Sequence, residues 1–458
     1  MPEATLYRPP RPSKLPPIAA LARTLWHGDG DLLSLLPGAA FSMAVGELGY
    51  SRRSIKLFND PALIREILED PNEIFPKSDL MVGALEPLIG ESIFVTDGEK
   101  WRRQRAMIDP AFTLMRLTLA FAAMTAAVEA FEARLQAAAA SGEAISLDFA
   151  MSQLTADIIC RTVFSVSLET EVAREVFEDF ALFERDVAQV KIWRLIIDPA
   201  WTKPKQEPAV LAACARIRAH LGALIDTHLA PGAAYNDIAS AVIAARDADT
   251  GQPFTREELI DQLGVFFLAG HETTASALTW AFYLLAQRPD VLARLRGEVA
   301  EVVGEGPVSF EHAKRLGFIR AVFKETLRLY PPITFLPRVA LKAARVGKWR
   351  VRRGALIMIS PWTVQRHRAY WREPDAFDPE RFLPERESEV VPGAYIPFGH
   401  GPHTCVGAGF AALESALILA QLARRFEFEI LAPERVQPAA RLTTRPRREI
   451  MAHVKLRR

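Results

Sequence analysis

Three sets of residues have the types and spacing to do chemistry. Cys405 is one of only three cysteines and lies in Phe398-Gly-His-Gly-Pro-His-Thr-Cys-Val-Gly-Ala-Gly-Phe410, with glycine at 399, 401, 407 and 409. Glycines have no Cβ, so such a backbone turns sharply and passes close to a flat ligand. An alanine-rich helical pattern, Ala408 to Arg425, follows at once. A sulfur near backbone N–H groups and a helix N-terminus is stabilised as a thiolate. One reading is therefore a metal held by a single thiolate; the other is a buried free cysteine beside a turn, which is common. Glu272 and Thr273 sit in Ala269-Gly-His-Glu-Thr-Thr274, a polar insertion in an apolar stretch. A carboxyl and a hydroxyl there can move protons, or they can be an ion-paired acid beside threonines that bond back to the i−4 carbonyl. Trp101 and Arg105 are i and i+4 on one helical face. They either stack at the surface or aim two N–H donors at one anion.

The elements that must position these residues follow from local signals. Thr255-Arg-Glu-Glu258 is a capping box opening a helix that runs to about Gln287, where Pro289 stops it. That helix is ~45 Å long at 1.5 Å per residue and apolar almost all round, so it crosses the interior. Burying Glu272 on it costs desolvation and demands partners. Residues 1–20, with Pro9, Pro10, Pro12, Pro16 and Pro17, form an extended arm. Residues 42–58 hold β-like pieces, and Asp60-Pro61 opens a short helix, Ala62 to Glu69. Residues 77–95, with Gly83, Pro87 and Gly90, read as an apolar loop covering something apolar. Residues 111–140 and Leu147 to Val166 are helical. Residues 170–228 hold more helices, broken near Pro199, Pro204 and Pro208, and Gly232 to Asn236 is a loop. Residues 333–365 hold short strands, Val346 to Arg350 and Ala355 to Ile359 among them. Leu442 to Pro446 reads as a β-turn dipping toward a pocket. No repeat, Ser/Gly linker or clean boundary appears, so residues 21–458 are expected to form one helix-rich domain.

Composition narrows the function. Half of the 458 residues are hydrophobic, and 56 basic against 55 acidic residues leave a net charge of +1. That balance asks for neither nucleic acid nor an anionic membrane. Cys160, Cys214 and Cys405 are odd in number and widely spaced, which fits a reducing compartment and no disulfide framework. The N-terminus lacks the basic-then-apolar pattern of a signal peptide. No run of 18 uninterrupted apolar residues is present, so no spanning helix or membrane anchor is expected. The expectation is a cytoplasmic protein.

The run Phe398-x-x-Gly401-x-His403-x-Cys405-x-Gly407 resembles the haem-binding loop of the cytochrome P-450 family, the haem-thiolate monooxygenases. The one departure is His403, where the family most often has Arg; its role then depends on the protonation of the imidazole. Five further matches lie in the family's order. They are Trp101-x-x-x-Arg105, Ala269-Gly-x-Glu-Thr273, Glu325-x-x-Arg328, Arg338 after Tyr330-Pro-Pro, and Pro379-Glu-Arg-Phe382. Together they span residues 97 to 410, and the implied fold is the mainly α cytochrome P-450 fold. Its smaller β region would come from the N-terminal and 333–395 segments.

The resemblance implies haem b with Cys405 as the iron ligand and Ala269, Phe398 and Gly407 against the ring. Trp101, Arg105, Arg338 and His403 would hold the propionates. Glu272 and Thr273 would manage protons at the oxygen-binding groove. Glu325, Arg328 and Arg381 would form a buried charge network that holds the Cys405 loop, tolerable only if fully hydrogen-bonded. The implied reaction is reductive O₂ activation and hydroxylation of a small apolar substrate. Electrons would come from NAD(P)H through a separate ferredoxin reductase and an acidic ferredoxin, since no reductase domain follows Arg458. The ferredoxin would meet a basic patch of Lys100, Arg102, Arg103, Arg424 and Arg425. A monomer of the soluble bacterial type is expected. Leu80, Met81, Val82, Leu85, Ile89, Phe266, Phe267, Ile333 and Phe335 are candidates to line the substrate pocket, and each could equally be core. A peroxygenase would use the same thiolate with H₂O₂ but usually replaces the acid–alcohol pair. A haem-based gas sensor or carrier would need only the ligand loop. Turnover of NAD(P)H with redox partners separates these readings.

Overall fold

The computed structural model describes residues 6–12, 31–48, 53–187, 206–440 and 442–457, with Pro16, Ile18, Ala19 and Ala22 besides. Pro17, Pro199 and Pro204, and the breaks expected at the last two, lie outside the described residues.

The helices that position the site are, in chain order, α1 (Pro61–Glu69), α2 (Asp79–Ile89), α3 (Gly98–Ile108), α4 (Leu114–Ser141), α5 (Leu147–Phe164), α6 (Glu171–Val187), α7 (Pro208–Leu229), α8 (Arg256–Gln287), α9 (Gly317–Leu329) and α10 (Ala408–Arg425). The capping box at the start of α8 is formed. Thr255 Oγ1 accepts from the Glu258 amide at 3.2 Å, and Glu258 Oε2 accepts from the Thr255 amide at 2.8 Å. Its side chains are buried nearly all round from Leu259 to Leu285, as an apolar helix without a polar stripe requires. It packs against α2, α5, α7, α9 and α10.

One four-stranded sheet is built from β1 (Val45–Leu48), β2 (Ile55–Phe58), β3 (Leu336–Val339) and β4 (Leu356–Ile359), in the order β1-β2-β4-β3. β2 and β4 are parallel and the other pairs antiparallel. Arg338 stands opposite Ile357 in that register, so the sheet fixes where Arg338 emerges. Near the C-terminus, β5 (Pro438–Ala440) and β6 (Thr444–Pro446) form an antiparallel pair. A separate sheet joins Ala144–Ser146, Met451–Leu456 and Phe426–Ile430. In the arm, residues 6–12 lie docked on the body: the Tyr7 carbonyl accepts from the Phe377 amide at 2.8 Å, and the Pro10 carbonyl from the Tyr330 hydroxyl at 2.7 Å.

Three local expectations are corrected. The stretch read as an apolar loop, 77–95, is largely helix α2. Ser78 Oγ caps it at the Leu80 amide (3.3 Å), and Pro87 falls in its last turn, where a missing N–H removes only one late bond. Pro208 opens α7 at its first turn instead of breaking a helix. Val346 to Arg350 is not one strand: Ala344–Val346 and Trp349–Val351 pair antiparallel, and Gly347, at φ 54°, makes the turn between them. Helices α4 and α7 are long and apolar enough in average composition to cross a membrane, although no uninterrupted apolar run reaches that length. Each has a face of residues buried within the fold, Leu117 to Leu135 and Val210 to Ile225.

The charge network is fully internal. Glu325 and Arg328 are both 0 % exposed and bond side-on, Nε–Oε2 2.6 Å and Nη2–Oε1 2.8 Å. Arg328 also donates to the carbonyls of Gln365, Pro374 and Ala376 at 2.7–2.9 Å. Arg381 lies 3.5 Å from Glu325 and donates to the Glu373 carbonyl at 2.8 Å. Removing one member of such a set strands a buried charge, so Glu325→Ala is expected to lower unfolding stability by about 3–5 kcal/mol in urea titrations. A loss under about 1 kcal/mol would mean the pair is not shielded as the structure places it.

Candidate active site

The Cys405 loop is held by its own backbone. The Cys405 amide donates to the Phe398 carbonyl at 2.9 Å and the Thr404 amide to the Gly401 carbonyl at 3.1 Å. Gly401 has φ 72°, and a Cβ there would meet the Leu68 carbonyl oxygen at 2.9 Å, so α1 presses on the loop where only glycine fits. The Ile396 amide donates to Gln365 Oε1 at 2.9 Å, and Gln365 Nε2 donates to the Leu327 carbonyl at 2.9 Å. The loop is thereby tied to the end of α9 that carries Glu325 and Arg328. Cys160 and Cys214 are buried, and Cys405 is exposed. Burial is nonetheless the main influence on its thiol, pushing the pKa up, while the Gly407 amide and Arg105 pull it down. The sulfur thus lies deep in the molecule and looks onto an internal space. Gly407 is the N-cap of α10.

Beside this loop three cations, Lys77, Arg105 and Arg338, gather with Asp97, Asp109 and Asp70 near them. Trp101 is buried on α3, with its ring centroid 4.0 Å from that of His403. Arg105 donates to the Thr404 carbonyl at 2.6 Å and to Asp109 at 2.5 Å. Arg338 is buried, and Lys77 forms an isolated β-bridge with it. His403 Nε2 stands 3.8 Å from Asp97, and its Nδ1 is buried with no hydrogen-bond partner. Burial, then Lys77, Arg338 and Arg105, push the His403 pKa down to about 3. The imidazole is therefore neutral through the physiological range and has one N–H to donate. Burial also pushes Lys77 down to about 8, against the pull of Asp97 and with the push of Arg338. An unpartnered ring nitrogen among Lys77, Arg105 and Arg338 suits carboxylates at the edge of a flat ligand whose metal takes the thiol. The residues present therefore fit a haem. Sequence reasoning missed Lys77 and Asp97, because they reach the cluster through the bridge to Arg338 and through the start of α3, not through any local motif.

On α8, Ala269, Gly270 and Thr273 are only partly buried among fully buried neighbours, and Thr273 Oγ1 donates to the Ala269 carbonyl at 2.6 Å. Glu272 reaches a different set of groups. Arg445 on β6 bonds both its oxygens, Nε–Oε1 at 2.8 Å and Nη2 close to Oε2, and Thr443 donates to Oε1 at 2.6 Å. Burial would push Glu272 up, but the Arg445 guanidinium holds it below the usual carboxylate range. The stretch 442–446, expected as a β-turn, is in part strand, since Thr444–Pro446 is β6, and its Arg445 is the partner that reading did not foresee. Glu414 of α10, fully buried beside Thr274, is a second acid that was missed; burial pushes its pKa well up.

Of the candidate pocket residues, Leu80, Met81, Val82, Ile333 and Phe335 are half-buried. Phe266 is one turn before Thr273's neighbours and packs edge-on against Phe112 at 5.4 Å. Leu85, Ile89 and Phe267 are core; Phe267 packs on Phe180 at 4.3 Å and on His271. The basic patch is not free charge. Arg103 bonds Asp247 at 2.8 Å and Glu258 at 2.6 Å, locking the start of α8. Lys100 pairs with Glu91, Arg102 with Glu73 and Arg425 with Glu132, and Arg424 donates to the Gly304 and Gly306 carbonyls.

A family model for cytochrome P450 matches residues 45–452. Cyclooctatin synthase of Streptomyces melanosporofaciens is 31 % identical over 87 % of this chain and 85 % of its own length. Pentalenene oxygenase of Streptomyces avermitilis is 29 % identical over 85 % of each. A chloroplastic protein of Arabidopsis thaliana, LUTEIN DEFICIENT 5, is 31 % identical over 87 % of this chain and 69 % of its own. The cytochrome P450DA heme domain superposes with a TM-score of 0.79 at 23 % identity, over 91 % of this chain and 89 % of that one. The chain belongs to the cytochrome P450 family. It is a monooxygenase whose cofactor is haem b with a cysteine thiolate ligand.

Haem carboxylates held against Lys77 would raise its pKa from about 8, so binding would take up a proton above that pH. Haem affinity of the stripped protein should be flat below that pH and fall above it, and Lys77→Met should flatten the profile. Titration of the apoprotein with haem, followed at the Soret band, checks this; an unchanged profile in the variant would remove Lys77 from the carboxylate site.

Proposed function

We propose that Cys405 is the iron ligand of a monooxygenase that hydroxylates a small apolar substrate, with Thr273 and Glu272 supplying protons. What supports this is a cation cluster with an orphaned imidazole nitrogen beside the exposed thiol, together with the partly open Ala269–Thr273 face on α8. Haem, when bound, supplies reductive activation of O₂: one oxygen atom enters a C–H bond and the other leaves as water, with two electrons from NAD(P)H and two protons. The remaining work falls to the chain. The Gly407 amide and Arg105 favour the thiolate of Cys405 against its burial. Lys77, Arg105 and Arg338 would offset the haem carboxylates, Trp101 and the neutral His403 would donate one N–H each, and Phe398, Ala269 and Gly407 would lie against the ring. Thr273 Oγ1, now donating to the Ala269 carbonyl, can turn its hydroxyl to hold a proton donor in the groove. Glu272 must leave Arg445 to reach that face, so proton delivery is gated by one ion pair.

Leu80, Met81, Val82, Ile333 and Phe335, apolar and half-buried, are the residues that we assign to the substrate wall; Phe266 is buried with the core. Pentalenene and cyclooctat-9-en-7-ol, for which two relatives are named, are the first compounds to test. We further propose a soluble bacterial-type, cytoplasmic protein fed by a ferredoxin and its reductase, acting as a monomer of one domain, 21–458, behind the proline-rich arm; two of the similar relatives are from Streptomyces. The neutralised basic residues argue for a partner surface that does not rest on free positive charge alone. Cys405→Ser should abolish the red-shifted band of the reduced CO complex; if Cys160→Ser abolishes it and Cys405→Ser does not, the ligand is misassigned. Thr273→Ala should keep haem and substrate binding while most NADPH electrons end as peroxide or water. Unchanged product per NADPH would take Thr273 out of the mechanism.

A further inference from the structure

Glu184 on α6 and His271 and Glu272 on α8 bring one ligating atom each within 4.8 Å of one another. The trio has the look of a cation site, but Arg445 already bonds both oxygens of Glu272 and Thr443 takes a further lone pair of Oε1. What the cluster holds is two carboxyl groups beside one guanidinium. Arg445 neutralises Glu272, and a second carboxylate in the same buried place would have no counter-ion among the described residues, so it keeps its proton. His271 does not supply the missing charge. Burial holds its pKa near 4, its Nε2 lies 3.0 Å from Ser152 Oγ, and its Nδ1 stands unpartnered 3.7 Å from Glu184 Oε1. Asp148 of α5, the other acid whose field reaches Arg445, is engaged by the Ile450 amide at 3.0 Å and the Ser146 hydroxyl at 3.2 Å. Burial and the charge of Glu272 both push Glu184 well above the carboxylate range.

We propose that Glu184 is a positioning residue for the oxygenation reaction: it stores, as a neutral carboxylic acid, the proton that Glu272 passes toward Thr273. This rests on the reading of Glu272 as the proton donor of the groove. In the step, the O–H bond of Glu184 breaks as an O–H bond forms on the Glu272 oxygen that Arg445 releases. That proton then leaves Glu272 for the Thr273 face. Glu184, whose side chain is 14 % exposed against 5 % for Glu272, takes its replacement from water. One proton has moved from water to the groove and no electrons have moved. The ion pair also explains the order of events: while Arg445 clamps Glu272, the store stays full and closed.

Infrared difference spectra of the holoprotein at neutral pH, wild type minus Glu184→Gln, should show loss of a carboxylic-acid C=O band that shifts in D₂O. Loss of carboxylate bands instead would mean that Glu184 is ionised, and would overturn the proposal. With a surrogate ferredoxin and reductase and pentalenene as the pocket-filling probe, Glu184→Gln should raise the peroxide share of NADPH oxidation by about tenfold and enlarge the solvent isotope effect. Glu184→Asp should recover part of both. A variant that loses the infrared band but keeps its peroxide share and isotope effect would leave Glu184 outside the relay. Glu272→Gln separates the two levels: if it too changes neither, the donor role of Glu272 has failed; if it changes both while Glu184→Gln changes neither, only the store has failed.

Discussion

A carboxylate inside a helix that is buried on every side has to be neutralised where it stands, and much of the site follows from how Glu272 meets that requirement. The answer comes from Arg445, on a strand 173 positions away. To bring it in, the β5–β6 pair must fold back against α8. The Thr444 carbonyl accepts from Ser276 Oγ at 2.7 Å and Trp280 Nε1 at 2.8 Å, which fixes the register of that approach. Fully hydrogen-bonded, the pair is tolerable in a low dielectric; half-bonded it would not be. Because the carboxylate and guanidinium are matched one to one, the neighbouring Glu184 finds no charge left over for it in Arg445.

The Cys405 loop is the other place where charge is buried to hold chemistry in position. Glu325, Arg328 and Arg381 do not touch the sulfur. They fix the carbonyls of Gln365, Pro374 and Ala376, and Gln365 in turn holds the Ile396 amide that leads into the loop. From the far side α1 closes on Gly401. The loop is therefore braced by two rigid supports besides its own backbone bonds, and the thiol stays exposed.

How much of this could be read in the sequence divides along a physical line. Short-range signals carried well. The capping box at Thr255, the Asp60-Pro61 helix start and the glycine pattern around Cys405 are decided within a few residues, and each stands as read. The Leu80 stretch misled because Gly83 and Pro87 lower helix propensity on their own, while packing of α2 against α8 overrides them. Long-range pairings left no trace. Nothing in Arg445 or Glu184 announces Glu272, nor does Lys77 announce His403. Arg103 misled for the same reason: its outward face by helical spacing meets Asp247 and Glu258, which arrive from distant chain.

The departure at His403 shows how such a pairing can preserve a function that a motif has altered. An Arg at that position would bring a fixed positive charge and several donors. The imidazole here is neutral, because burial and three surrounding cations make a fourth charge too costly. Two haem carboxylates would still need roughly two positive charges to be buried without penalty; Lys77, Arg105 and Arg338 are the cations at hand, with Asp97 and Asp109 drawing part of that charge away. Lys77 sits where it feels both Arg338 and Asp97, so it is the adjustable member of the set. An Arg in place of His403 would crowd Lys77 and drive its pKa lower still. The histidine and the lysine are best understood together: loss of fixed charge at one position permits a titratable charge at the other, and the edge of the haem site acquires a pH dependence that an all-arginine cluster would lack.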